Sequence, residues 1–218
     1  MNEIHVLMTL AGIHFLALMS PGPDFALVVQ NSTRYGRQTG ILIAFGLSIG
    51  ILTHSILSLT GVSYLVHLHP QLFFVVQLLG GSYLAYLGIS GLKSLLMRAK
   101  GAPVSTPKSK DFTLKSKKQA FTRGFTTNLL NPKALVFFIS LMSTLVPQSM
   151  SLEGKFAALF ILWSLAFFWF ALLAWALSTQ RLQSALARYS SYIDLVCCIL
   201  FTILGCTIIG EAVLHTLT

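Results

Sequence analysis

Charge is scarce in this 218-residue chain: only 10% of its residues are Asp, Glu, Lys or Arg, and six of those are acids. A soluble domain of this size carries about 25% charged residues, whereas here 55% of residues are hydrophobic and the mean hydropathy is +0.76. Cysteine is scarce too. Cys197, Cys198 and Cys206 all fall in the last apolar segment, where their spacing fits neither a zinc site nor a redox pair, so they are expected to be small buried core residues. HExxH, a pair of catalytic aspartates and a GxSxG elbow are all missing, which leaves no visible basis for an intramembrane enzyme. His67 and His69 flank Leu68 without acidic or cysteine neighbours, so a solvated loop is expected there and no metal site.

What the chain has in abundance is long apolar runs. They occupy Ile4–Gln30, Thr39–Val66, Leu72–Leu96, Gly124–Val146, Phe156–Ser178 and Leu195–Val213, and each can cross a hydrocarbon core of about 30 Å at roughly 1.5 Å per residue. Lipid offers no partner for exposed backbone amides, so these runs must be helices. The expected fold is therefore all-α: a polytopic membrane protein of about six transmembrane helices. Glu3 precedes the first run and no small-residue cleavage pattern follows it, so it reads as a retained helix and not as a removable signal peptide.

Basic residues set the orientation. Arg34 and Arg37 follow the first run, nine basic residues lie between Lys93 and Arg123, and Arg181 and Arg188 precede the sixth run. By the positive-inside rule these alternate loops face the cytoplasm and both termini face outward, which in a Gram-negative cell is the periplasm. The net charge of +9 thus reflects topology, and nucleic acid is not an expected partner. Residues 98–123 form a basic cytoplasmic linker between two halves of one membrane domain, 1–97 and 124–218. Three spans per half require the second half to enter from the opposite side, the pattern of two inverted repeats.

The first span of each half is interrupted. Ser20-Pro21-Gly22-Pro23-Asp24 breaks the first, and Asn131-Pro132-Lys133 breaks the fourth. Counted from the cytoplasmic charges, both breaks lie about 13 to 17 Å deep, near the midplane. With Gly22 and Asn131 as N-caps and Pro23 and Pro132 at the first helical position, each break starts a half-helix whose amides and positive dipole end face the bundle centre. Asp24 and Lys133 then hold equivalent second positions with opposite charge. An ionised group at such depth costs about 2.5 to 3.5 kcal/mol, so both are expected to line a polar cavity, Asp24 meeting a substrate ammonium and Lys133 its carboxylate. Two alternatives stay open: proline kinks that only shape the bundle, and a structural Asp24–Lys133 ion pair.

Asp24 is also the natural proton carrier, since burial favours the protonated carboxyl while a nearby Lys or helix N-terminus favours the carboxylate. His14 and His54 lie within spans, as hydrogen-bonding structural groups or as proton relays. Asn128, one turn before Asn131, is expected to satisfy backbone freed by Pro132. Tyr83 and Tyr86 are expected to pack within the bundle. Gly46 and Gly50 suit close helix contact, within the subunit or between subunits of a homo-oligomer.

The stretches HFLALMSPGPDF (14–25), GGSYLAYLGISG (80–91) and GFTTNLLNPKA (124–134) together resemble the LysE/RhtB family of amino-acid exporters, the first of them most like its threonine and homoserine efflux branch. The resemblance implies a six-helix inner-membrane exporter of small amino acids, driven by protons and without a cofactor. It places Ser20, Pro21, Gly22, Pro23 and Asp24 on one family motif and Asn131, Pro132 and Lys133 on another. Two midplane charges of opposite sign suit a neutral zwitterion better than lysine or arginine. A basic substrate, or a passive solute channel, is the alternative.

Overall fold

A computed structural model describes residues 3–20, 22–68, 70–99, 116–176 and 180–217. Pro21, His69 and residues 100–115 of the basic linker lie outside the described residues. Eight helices account for nearly all of the rest: α1 (Glu3–Met19), α2 (Pro23–Tyr35), α3 (Arg37–Leu68), α4 (Pro70–Ala99), α5 (Lys117–Leu129), α6 (Pro132–Leu145), α7 (Leu152–Ala176) and α8 (Gln180–Leu217). Among the described residues there is no strand.

The six apolar runs reappear in these eight helices. α3, α7 and α8 each hold an unbroken segment long and apolar enough to cross a membrane, and α1–α2 and α5–α6 pass the same test as bent pairs. α4 is the sixth apolar helix, 30 residues long. The chain is thus an all-helical polytopic membrane protein. α8 begins at Gln180, well before the apolar run at Leu195, because Gln, Arg, Leu and Ala between the two are good helix formers.

The two bends are nearly equal, 58° between α1 and α2 and 59° between α5 and α6. Their cause is local. Proline has no amide hydrogen and its ring clashes with the preceding turn, so the ladder stops, and the same residue is well suited to begin a new helix. Gly22 is extended and caps α2, and Asn131 caps α6 with its side-chain oxygen accepting from the Lys133 amide at 3.1 Å. Both caps fall where the sequence places them.

Each half then continues through two helices. α2 passes to α3 through the single residue Gly36, whose φ of 84° lies in the region glycine adopts without penalty. Residues 146–151 join α6 to α7. In the assembled bundle α3 packs on α7 and α4 on α8. α3 also runs along α5, and at Gly46 the approach is so close that a methyl group would strike the Phe121 carbonyl. In lipid, where apolar burial drives little association, such small-residue contacts let the backbones meet. Val28, Ile43, Leu47, Leu162 and Ala166 are fully buried at the centre.

The cysteines differ from their expected burial. Cys197 is buried and donates to the Leu16 carbonyl at 3.2 Å, but Cys198 is only half-buried and Cys206 is exposed. Neighbouring helix positions point about 100° apart, so adjacent residues on α8 cannot all face inward.

Candidate functional site

The two breaks open onto one cavity, lined by Ser20, Gly22, Pro23 and Asp24 from the first and by Asn128, Asn131 and Lys133 from the second. Its remaining wall is largely aromatic, including Phe137, Phe138, Phe170 and Phe201. Its volume is about 60 Å³. Polar groups at the half-helix ends and apolar rings around them form the usual lining of a small-molecule site.

The two charges do not meet. Asp24 Oδ2 accepts a hydrogen bond from Asn128 Nδ2 at 2.6 Å, and Lys133 Nζ donates to Ser20 Oγ at 2.7 Å. Among the described residues no direct ion pair joins Asp24 to Lys133; each is held by a neutral partner. Lys133 Nζ also lies 4.7 Å over the Phe201 ring, a cation–π contact that steadies an ammonium in low dielectric. Asp24 Oδ1 is buried without a protein partner. One charge is thus held on each broken span, each by a neutral partner and each with capacity left for a ligand.

Asn128 corrects the expected role. Its side chain serves Asp24, and the backbone carbonyl that Pro132 leaves without its helical partner is its own. That carbonyl receives the Asn131 amide at 3.0 Å and His54 Nε2 at 3.2 Å. Gly50 admits this arrangement, because a methyl group there would sit 2.7 Å from Asn128 Oδ1.

The histidines separate. His14 lines the cavity, yet its Nε2 donates to the Leu162 carbonyl of α7 at 3.1 Å. His54 stands behind the cavity, outside its lining, with its ring parallel to Phe138 at 6.1 Å between centroids. Carbonyl oxygens only accept, so Nε2 carries the proton in both rings. Pro132 begins α6 with its ring exposed and does not line the cavity. Tyr83 and Tyr86 also stay outside the lining, and Tyr86 faces outward. Phe201 under Lys133 and Trp169, whose Nε1 donates to the Leu18 carbonyl at 3.1 Å, are contacts at the breaks that sequence reasoning missed: nothing local marks an aromatic on one helix as the neighbour of a break on another.

A bundle with two broken spans, an acid and an amine facing one small cavity, defines a membrane transporter of small solutes. Residues 4–211 match the family described as LysE type translocator, and the chain belongs to that family. Among curated relatives, the threonine efflux protein of Escherichia coli K12 is 30% identical over 86% of this chain and 89% of its own length. The threonine efflux protein of Salmonella typhi is 29% identical over 85% and 88%. An uncharacterized membrane protein of Haemophilus influenzae is 30% identical over 95% and 98%. No solved structure matches. Membership of a translocator family agrees with the expectation of a transporter and not an enzyme.

Proposed function

We propose that this protein exports a small neutral amino acid, of the threonine or homoserine kind, from the bacterial cytoplasm across the inner membrane in exchange for protons. One observation carries the reading: Asp24 and Lys133, at matching second positions of two half-helices, face one cavity without pairing with each other. An α-amino acid presents an ammonium and a carboxylate, and the free Asp24 Oδ1 and the Lys133 ammonium complement them. The α2 and α6 N-termini add partial positive charge for the carboxylate. Relatives named threonine efflux proteins support the substrate class.

In this reading Asp24 alternates between a proton and the substrate ammonium, which couples the two fluxes. The halves 1–97 and 124–218 act as inverted repeats, with both termini periplasmic and the 98–123 linker cytoplasmic. Ser20, Gly22, Asn131 and His14 shape the polar end of the cavity.

The test is transport by the purified protein in vesicles, using threonine, homoserine, leucine and lysine with and without an imposed pH gradient, alongside Asp24→Asn. Gradient-driven movement of the neutral substrates, lost in Asp24→Asn, is the expected result. Movement indifferent to the gradient and to the substitution means a passive channel, and preference for lysine means a basic substrate.

A further inference from the structure

The two breaks are backed by two ring N–H donors at the same place in the fold. His54 lies 17 residues beyond Arg37, the first residue of α3, and Trp169 lies 17 residues beyond Leu152, the first residue of α7. His54 Nε2 donates to the carbonyl of Asn128 at 3.2 Å, and Trp169 Nε1 donates to the carbonyl of Leu18 at 3.1 Å. Asn128 is the penultimate residue of α5 and Leu18 the penultimate residue of α1. Each donor thus reaches from the second helix of one half to the end of the broken first helix of the other.

The acceptors lie at the same kind of helix end, although the Asn128 carbonyl also receives the Asn131 amide at 3.0 Å. The last carbonyls of a helix lack intrahelical donors, and in lipid they have no water to turn to. α1 ends at Met19, one residue past Leu18, and four residues past Asn128 stands a proline without an amide hydrogen. A ring N–H anchored on a straight neighbouring helix meets that deficit at a fixed direction.

What lies one bond further on differs. Asn128 carries its own amide onward to Asp24 at 2.6 Å, so His54 stands behind the acid. Leu18 has no polar side chain, but Ser20, two residues on, accepts Lys133 at 2.7 Å, so Trp169 stands behind the partner of the base.

We propose that His54 and Trp169 are a matched pair of positioning residues, one per broken span, that set where Asp24 and the Ser20–Lys133 pair stand in the cavity. The inference deepens the transporter reading, and its functional half rests on that reading. Neither residue touches substrate. His54 acts through Asn128 and is not a proton relay to the cavity.

The experiment uses the full-length protein in detergent and in vesicles, with His54→Phe, His54→Gln and Trp169→Phe. Phenylalanine keeps a ring and loses the donor, while the glutamine amide reproduces a donor near the Nε2 position. Amide hydrogen exchange is read over residues 128–135 and 18–26, and KM and Vmax are read for threonine. His54→Phe is expected to speed exchange about tenfold at its own break only, the loss of one buried hydrogen bond, and Trp169→Phe to do so at the other. KM is expected to rise about tenfold in His54→Phe with Vmax within about twofold, the glutamine variant to recover most of the loss, and the effect to be non-additive with Asn128→Ala.

Unchanged exchange in both phenylalanine variants, or faster exchange at both breaks alike in each, overturns the pairing. Additivity of His54→Phe with Asn128→Ala overturns the route to Asp24. If His54→Phe does not fold, His54→Gln against His54→Asn, whose shorter amide falls short of the Asn128 carbonyl, carries the same comparison. Break-specific exchange in a protein that moves no amino acid upholds the pairing and counts against the transporter reading alone.

Discussion

Lys133 Nζ reaches from the start of α6 to the Ser20 hydroxyl at 2.7 Å, joining the second broken span to the first through an uncharged partner. A hydroxyl is an exchangeable partner for an ammonium: a substrate carboxylate offers a stronger, charge-assisted bond. Lys133→Met is expected to lower threonine transport by about 10- to 100-fold, the worth of a hydrogen bond to a charged group at about 1.5–3 kcal/mol. Ser20→Ala removes a weaker tie and is expected to cost only a few-fold. Vesicle efflux measures both, and equal losses in the two variants would count against a carboxylate-binding lysine.

Asn128 is a side-chain donor to Asp24, at 2.6 Å. Asn128→Ala leaves a buried carboxyl without it, a loss of about 1–3 kcal/mol. Thermal unfolding in detergent should show the drop. Asp24→Asn paired with Asn128→Asp, which restores an amide opposite a carboxyl, should recover stability but not transport, because the acid has moved to the other span.

Three glycines on α3 form a graded series. A methyl group at Gly46 meets the α5 backbone, at Gly50 it meets the Asn128 side chain, and at Gly61 it meets open space. Gly46→Ala is expected to destabilise by about 1–3 kcal/mol, Gly50→Ala by less with a larger effect on KM, and Gly61→Ala hardly at all. Unfolding midpoints and threonine KM for the three variants separate packing from the site.

The Phe201 face beneath Lys133 contributes about 0.5–2 kcal/mol. Phe201→Leu keeps the apolar wall and removes that face, so KM for threonine should change several-fold while Phe201→Tyr stays near the parent. If Phe201→Leu transports with unchanged KM, the ring only fills space.

Much of this was legible in the sequence because its causes are local. Proline at 23 and 132 dictates where helices restart, and glycine or asparagine before it supplies the cap, so sequence position alone matches Asp24 with Lys133. The partners of those charges were not legible. Asn128 lies 104 residues from Asp24 and Lys133 lies 113 from Ser20, and their meeting depends on how α5 settles against α3. Asn128 read as a backbone partner since only its own neighbourhood was visible. His54 and Trp169 share no residue type, so a search for repeated sequence passes over them. Their likeness lies in a ring N–H at a common distance along two helices.

Gly36 is the only residue between α2 and α3, while six residues, 146–151, lie between α6 and α7. A residue of chain reaches at most about 3.6 Å, so α2 is on a short tether to α3, while the longer link after α6 is fastened to α1 by Ser151, whose amide and hydroxyl donate to Glu3 at 2.7 and 2.8 Å. A tilt of the half-helix bearing Asp24 passes through Gly36 straight to α3, whereas a tilt of the half-helix bearing Lys133 meets a link that Ser151 anchors to the start of α1. The two broken spans agree in their bends and differ in what holds them to the rest of the bundle: a single glycine after the first, an anchored link after the second.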